Sequence, residues 1–389
     1  MTKEISRRTL MQSGAAAASL AAFGGLDRAF ERAFAALQQP GDEVIPWTDI
    51  PANFVARGNL DTRTLDRSKF ITPNEEFYLV QHYGTPPVDP AAYSLRLTGM
   101  FEKPLTLTLD DLKKRPKFEQ IVGWECGGSS PASLNRLSGN AKWTGTRLRD
   151  LLKDARMDRN ARDVVFFGID KGKEKVTHGR SGELEVEQHF GRSLHPEDAN
   201  RPEVMLAWEM NGQPLSPIHG FPVRLVVPGW YGVANVKWLD RIHAQDTRYI
   251  GRFMSRDYVT FKPEQVGDET IWNEALVARM RVKSMVAKLT RNGSKYTAHG
   301  FALGGNFPMR LVEVKVDDGP WQRATFDSQN TEFSWKMFSY SWDGLKPGQH
   351  TIVSRATDGH GVVQPEQSAV DPKKTQWENN GQFVRKFTV

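Results

Sequence analysis

Cys126 is the only cysteine in a chain of 389 residues. A single cysteine cannot form an intrachain disulfide, so the fold must be held by hydrophobic cores and not by covalent crosslinks. The cysteine lies in the glycine-rich segment Gly123–Ser130, where the backbone can approach a ligand closely. It is therefore either a small buried hydrophobic residue or a sulfur with a chemical role.

The N-terminus has the three-part pattern of an export signal. Ser6–Leu10 contains an arginine pair, residues 14–26 are mostly apolar, and Ala33–Ala35 has the small-x-small pattern of a cleavage site. The arginine pair is typical of the twin-arginine route for folded proteins, so residues 1–35 are predicted to send the chain to the periplasm. The alternative is a basic, frayed N-terminus on a cytoplasmic protein. The apolar run is too short for a membrane span, and we expect none elsewhere.

Composition favours a globular protein of two domains, with 39% hydrophobic and 25% charged residues. The net charge of +6 is spread along the chain without a long basic run. No nucleic-acid-binding stripe is therefore predicted, although the basic residues could help to dock an acidic partner. Residues 36 to about 70 contain several prolines and predict an irregular arm.

Strand and helix patterns are short and mixed in the next part of the chain. Strands are predicted at Ser94–Thr98, Leu105–Leu109, Val164–Gly168 and Val223–Val227, and short helices at Leu109–Lys114 and Leu148–Ala155. This mixture predicts an α+β fold rather than a regular βαβ array.

After about residue 275 nearly every segment is strand-like. Val312–Val316, the turn Asp317–Gly319 and Trp321 have a hairpin pattern. About 110 such residues predict an immunoglobulin-like β-sandwich. The predicted organisation is a signal at 1–35, a catalytic domain at 36–272 and a sandwich domain at 273–389.

Two segments could bind a cofactor. A thiolate at Cys126 would be a soft metal ligand, but no CxxC or HExxH motif supplies further ligands, so these would come from a cofactor. In the segment from residue 219 to 238, His219, Arg224, Asn235 and Lys237 are donors suited to a phosphate and a polar heterocycle. The alternative is a structural cysteine and a strand-turn-strand segment with solvent-facing polar residues.

These segments, together with Leu206–Gly212 and Ser255–Tyr258, resemble the sulfite oxidase family of molybdenum enzymes. The resemblance runs in order from about residue 75 to the C-terminus. The sandwich resembles the dimerisation domain of the family, including Ala356–Pro365, which implies a homodimer.

The resemblance implies a molybdopterin bound to one molybdenum atom, with Cys126 as the thiolate ligand of the metal. Tyr258 would lie over the metal's oxygen-exchange position, although it could also serve as a hydrophobic anchor. The residues implied to hold the pterin and its phosphate, partly through their backbone, are Tyr78, His82, Asp170, His219, Arg224, Asn235, Val236 and Lys237.

The chain departs from the family in the anion pocket. Members that oxidise sulfite have arginines at three positions, which here are Val80, Pro131 and Asn380. A small dianion needs paired donors when it is buried, so these replacements weaken sulfite as the substrate but not molybdenum as the metal. Residues that could line the pocket instead are Gln81, Arg136, Arg180 and Arg256.

The sequence thus predicts a periplasmic, haem-free sulfite dehydrogenase. No CxxCH haem motif is present, so electrons would pass to a separate protein, a c-type cytochrome. One alternative is a molybdoenzyme that reduces S-oxides such as protein methionine sulfoxide. Another is a non-enzymatic periplasmic binding protein with a structural Cys126.

Overall fold

The structure is a computed structural model that describes residues 42–51, 53–55 and 59–389. The export signal predicted at residues 1–35 lies outside these ranges and stays a prediction. Within the ranges, every helix is too short or too polar to span a membrane.

β-Strands account for most of the regular structure. In chain order they are β1 Glu43–Ile45, β2 Leu95–Gly99, β3 Leu105–Leu107, β4 Phe118–Glu125, β5 Ser138–Arg147, β6 Asp163–Thr177, β7 Glu183–Leu194, β8 Met205–Met210, β9 Gln213–Pro214, β10 Arg224–Val226 and β11 Leu239–Gln245. They continue as β12 Val259–Val266, β13 Glu269–Leu276, β14 Lys283–Asn292, β15 Lys295–Leu303, β16 Leu311–Val316, β17 Gln322–Arg323, β18 Thr325–Phe326, β19 Lys336–Asp343, β20 Gln349–Thr357 and β21 Arg385–Thr388.

The α-helices of the described residues are few and short. They are α1 Leu109–Lys113, α2 Leu148–Asp154, α3 Pro196–Ala199, α4 Arg252–Ser255 and α5 Gln367–Val370. A capping box explains where α1 begins, because the Thr108 hydroxyl accepts from the Asp111 amide while the Asp111 carboxylate accepts from the Thr108 amide. The fold is thus mostly sheet, with less helix than the α+β prediction suggested.

Two five-stranded sheets form the first part of the molecule. One has the order β10-β8-β5-β4 with β9 added beside β8, and the other has the order β3-β2-β11-β6-β7. In the second sheet β11 runs parallel to β2 and antiparallel to β6. The strands predicted at residues 94–98, 105–109 and 223–227 are confirmed as β2, β3 and β10, with ends that differ by one or two residues, and the strand predicted at 164–168 lies within the longer β6.

Two further sheets lie in the C-terminal part. They have the orders β1-β14-β15-β19-β18 and β17-β16-β20-β21. The predicted hairpin is confirmed, since Val314 of β16 pairs with Gln322 of β17. Strand β1 comes from the arm predicted to be irregular; it pairs with β14, and the Trp47 indole N–H donates to the Ala287 carbonyl over 3.0 Å. Burial of Ile45 and Trp47 explains why this stretch becomes ordered.

The hydrophobic residues form two cores. One core fills the first part of the molecule and continues onto strand β14 through Met285 and Ala287. The other lies between the two C-terminal sheets and includes Val286 and Leu289 of the same strand. Since side chains alternate along a strand, β14 is buried on both faces and joins the two cores.

Candidate active site

The Cys126 segment follows directly after β4. The Cys126 amide donates to the Leu137 carbonyl, and its carbonyl accepts from the Ser129 amide, both over 2.9 Å. Burial raises the pKa of the thiol, with a backbone hydrogen bond at Gly128 opposing this effect. The segment is pressed against its neighbours, because a Cβ atom at Gly127 would lie 2.7 Å from the Val277 side chain. Glycine is therefore needed here for close approach.

Cys126 opens onto a cleft that is partly open to solvent, and the free space between its walls, open solvent included, is about 630 Å³. The cleft brings together most of the residues predicted from the sequence. The predicted residues that line it are Tyr78, Val80, Gln81, His82, Cys126, Asp170, His219, Arg224, Asn235, Lys237 and Tyr258. Val236 is buried beside the cleft and bonds through its backbone, because its carbonyl accepts from the Leu225 amide.

Three arginines were proposed as substitutes in the substrate pocket, and none of them lines the cleft. Arg180 is exposed in the turn between β6 and β7. Arg256 donates to the Gln188 side chain over 3.1 Å at the surface. Arg136 lies after the Cys126 segment, where its amide donates to the Ser133 carbonyl. A role for these three side chains in the substrate pocket therefore stays a prediction, which the lining of this cleft does not support.

The positions expected to hold family arginines have different environments. Val80 lines the cleft. Pro131 is buried, and its carbonyl accepts from Arg385 over 2.9 Å. The side-chain Nδ2 of Asn380 donates to the Val282 carbonyl over 3.1 Å. None of these three side chains supplies a cation to the cleft.

Arg224 and Lys237 form a cationic wall along one side of the cleft. Arg224 donates to the carbonyls of His219 and Asn235, each over 3.0 Å, and its guanidinium lies 4.9 Å from the centre of the Trp143 ring. Burial lowers the pKa of Arg224 to about 10, so it stays charged at neutral pH. Burial and Arg224 together lower the pKa of Lys237 to about 7, and Asp170 opposes this shift. An incoming anion would favour the charged form of Lys237.

Asp170 and His219 also line the cleft and can accept hydrogen bonds. Burial raises the pKa of Asp170 to about 7, against the effect of Lys237. Burial lowers the pKa of His219 to about 4, so its ring is neutral at neutral pH. The His219 Nε2 donates to the Asn74 carbonyl over 2.8 Å, which leaves Nδ1 as an acceptor.

Tyr258 and His82 form a hydrogen-bonded pair near Cys126. The Tyr258 hydroxyl lies 2.9 Å from His82 Nε2. Burial raises the pKa of Tyr258, and burial with Arg252 nearby lowers the pKa of His82 to about 4. Tyr258 also has a φ of +60°, a left-handed conformation that costs a bulky residue on the order of 1–3 kcal/mol. Such strain is typical of a functional position.

The cleft contains buried polar atoms that have no protein partner. These are the Tyr78 hydroxyl, Oδ1 of Asp170 and Nε of Arg224. Buried polar groups are nearly always hydrogen-bonded, so these atoms point to a polar ligand. The residues of the cleft fit molybdopterin with molybdenum. The cationic wall suits a phosphate, the carboxylate and imidazole acceptors suit a heterocycle, and the thiol suits a metal. The backbone is also close, because a Cβ at Gly232 would lie 1.9 Å from the Tyr78 hydroxyl.

Three features of the site had no signal in the sequence. Trp377, in the loop before β21, packs on Tyr258 with ring centres 4.6 Å apart. Lys283 of β14 reaches back to Glu125, the residue before Cys126. Arg192 of β7 is buried behind Tyr258. Each of them is far in sequence from the residue that it contacts.

Known proteins resemble this chain in sequence and in fold. Residues 82–253 match the family model described as the oxidoreductase molybdopterin binding domain. Sulfite oxidase of Gallus gallus is 30% identical over 329 residues, which cover 77% of this chain and 69% of that protein. Mitochondrial sulfite oxidase of Rattus norvegicus is 31% identical over 324 residues, which cover 76% of this chain. The match spans only 58% of the rat protein's length.

A solved structure has a similar fold. The sulfane dehydrogenase SoxCD from Paracoccus pantotrophus superposes with a TM-score of 0.72 at 23% identity. The superposition covers 90% of this chain and 90% of that chain. Both the first part and the C-terminal sheets therefore have counterparts in one known architecture.

Proposed function

Because this chain belongs to the sulfite oxidase family and is a molybdopterin-dependent oxidoreductase, we propose that it oxidises sulfite to sulfate beside Cys126. Sulfite gains one oxygen atom from water, and two protons and two electrons are released. The molybdenum cofactor supplies oxygen-atom transfer and electron acceptance when it is bound. The observation that carries the proposal is the single cleft that joins Cys126, Tyr258 and the wall of Arg224 and Lys237. The non-enzymatic alternative is wrong, because the matched domain is that of an oxidoreductase.

The side chains divide the work between holding the cofactor and moving protons. Cys126 would hold the metal through its sulfur, and Arg224 and Lys237 would bind the phosphate. Asp170 and His219 would accept hydrogen bonds from the pterin. Tyr258 and His82 can share a proton at the end of the cleft nearest Cys126, since their hydroxyl and ring nitrogen are 2.9 Å apart.

A second candidate is the reduction of an S-oxide such as protein methionine sulfoxide. The observation that favours it is the uncharged set Val80, Pro131 and Asn380, since a neutral sulfoxide needs no cationic pocket. Steady-state turnover of the molybdenum-loaded full chain separates the candidates. Sulfite with ferricyanide should support turnover, and methionine sulfoxide with a reduced dye should not. The reverse result would replace the proposed reaction with sulfoxide reduction.

We infer that residues 273–389 form an immunoglobulin-like domain that dimerises the protein, after a catalytic domain at 36–272. The strand orders support the topology: β14-β15-β19-β18 corresponds to strands A-B-E-D, and β17-β16-β20-β21 corresponds to C′-C-F-G. Sedimentation velocity of the full chain tests the assembly. A dimer at micromolar concentration is expected, and a monomer at all concentrations would end this proposal.

We propose that the enzyme is exported to the periplasm and passes its electrons to a c-type cytochrome. The arginine pair Arg7 and Arg8 supports the route. Replacing both with lysine should keep the protein in the cytoplasm, as cell fractionation would show. Cytochrome c reduction during sulfite turnover tests the acceptor, with ferricyanide as the control. Turnover with ferricyanide but with none of several c-type cytochromes would exclude this partner class.

A further inference from the structure

A buried arginine without an acidic partner lies behind Tyr258. Arg192 of β7 is 1% exposed. Burial lowers its pKa to about 10, and the nearby Tyr258 hydroxyl opposes that shift. No carboxylate of the described residues forms an ion pair with it. A cation in such surroundings is costly unless hydrogen bonds hold it in place, so its presence needs an explanation.

The guanidinium of Arg192 instead binds two backbone carbonyls. Nη1 donates to the Phe253 carbonyl, and Nη2 donates to the Val277 carbonyl over 2.8 Å. Nε has no partner. Phe253 lies in α4, five residues before Tyr258, and Val277 follows directly after β13. The hairpin β12–β13 begins after Tyr258 and ends before Val277. Arg192 therefore connects α4 to the base of this hairpin.

Both carbonyls belong to residues that fix Tyr258. The Val277 amide donates to the Tyr258 carbonyl over 2.8 Å, which closes the base of the hairpin. The Phe253 ring packs 4.5 Å from the ring of His82, the hydrogen-bond partner of the Tyr258 hydroxyl. A bulky residue at φ +60° relaxes to the right-handed or extended region unless its surroundings prevent this change.

We propose that Arg192 is a positioning residue that holds Tyr258 in its left-handed conformation and keeps the Tyr258 hydroxyl on His82. Arginine suits this role because its planar fork can bond two fixed acceptors at once, whereas lysine presents a compact charge on a flexible stem. The structural part stands on the contacts of the chain alone. The catalytic part rests on the proposed function, because it requires Tyr258 to act in turnover.

Hydrogen exchange tests the structural part without any assay of activity. The variants are Arg192→Met and Arg192→Lys in the molybdenum-loaded full chain. Amides in residues 252–258 and 275–280 should exchange at least about tenfold faster in both variants, measured by mass spectrometry. The control is Lys336→Met, which removes another buried cation bonded to two carbonyls, those of Thr331 and Glu332. Exchange in these two segments that stays at the wild-type rate in both variants overturns the proposal.

A double-mutant cycle tests whether Arg192 acts through Tyr258. Arg192→Met should lower kcat by about 10- to 100-fold, since small misplacements of a catalytic group have such effects, with KM and molybdenum content unchanged. In a Tyr258→Phe background the same change should have little further effect. If the two reductions multiply, Arg192 does not act through Tyr258. If Arg192→Met does not fold, Arg192→Lys carries both tests.

The two proposals can fail separately. Faster exchange in the Arg192 variants, with no turnover of sulfite by the wild type, would contradict the proposed reaction but support the role of Arg192 in holding Tyr258. Turnover of sulfite by the wild type, with unchanged exchange in the Arg192 variants, would contradict only the proposed role of Arg192.

Discussion

Lys283→Met is predicted to destabilise the protein at the point where the sandwich meets Cys126. Lys283 Nζ lies 3.0 Å from Oε2 of Glu125 in hydrogen-bond geometry, and 2.9 Å from Oε1 as an ionic contact. The side chains are 3% and 1% exposed, so water cannot replace either partner. Methionine has a similar length without the charge, so the change leaves the Glu125 carboxylate buried and unpaired.

The magnitude follows from this burial. Removing one partner of a buried ion pair costs about 3–5 kcal/mol, because the remaining charge loses its compensation. Replacing both partners with apolar residues is close to neutral, so Glu125→Leu with Lys283→Met should recover most of the free energy of unfolding. Lys171→Met is the matched control, since its pair with Glu187 is as short, 2.7 Å, but half exposed. Exposed pairs are screened by water, so this variant should change stability far less.

Urea unfolding of the molybdenum-loaded protein gives the free energy, and metal analysis of the same samples gives the molybdenum content. Lys283→Met should lower both, because Glu125 directly precedes Cys126. The double variant should restore stability. If Lys283→Met behaves like Lys171→Met, the ion pair does not stabilise the junction. If the double variant is no better than the single one, the unpaired charge is not the cause.

Three further variants test the cleft. Cys126→Ser should fold, by circular dichroism, but lose molybdenum and turnover; wild-type turnover would refute its role as the ligand. Tyr258→Phe should lower kcat more than molybdenum content, and an unchanged rate would make Tyr258 a packing residue. Gly232→Ala should cost about 1–3 kcal/mol and displace Tyr78, since the new Cβ lies 1.9 Å from its hydroxyl. Gly304→Ala, whose Cβ would make ordinary contacts from 3.4 Å, is its control; an equal free energy of unfolding in the two variants would contradict the clash.

The parts of the fold that follow local patterns could be predicted from the sequence. Strand β10 was predicted from an apolar run that ends at Pro228, and the β16–β17 hairpin from its Asp-Asp-Gly turn. Strand β1 could not be predicted, because three residues carry no period of their own. It forms because Trp47 buries its ring in the sandwich and bonds to Ala287, a contact across 240 residues.

Charge patterns explain why the longest hairpin was predicted only at its base. In the outer half of this hairpin lysines recur at every second position of β6 and glutamates at every second position of β7, and such charge-rich stretches are typical of a solvated segment. In the fold these charges form diagonal ion pairs across the two strands, Lys173 with Glu185 and Lys175 with Glu183. Cross-strand pairing of opposite charges stabilises a hairpin, but which charges meet depends on a register that the sequence does not show.

The same limit applies to the site. The residues that line the cleft were predicted because they lie in short motifs of a family. Arg192 and Lys283 were not predicted, since a lone cation in a strand is usually solvent-exposed. Their partners are 85 and 158 residues away in sequence. Only the packing of distant segments turns them into internal supports.

These contacts also change what the C-terminal sheets contribute. Lys283 pairs with the residue before Cys126, and Trp377 covers Tyr258 and lies 3.2 Å from where a Cβ of Gly128 would be. The core of the first part continues onto β14, which is buried on both faces. A chain cut near residue 273 therefore loses a buried countercharge, an aromatic cover and part of a core at once. Such a truncation tests folding of the site, so dimerisation has to be separated from catalysis by surface substitutions on an intact sandwich.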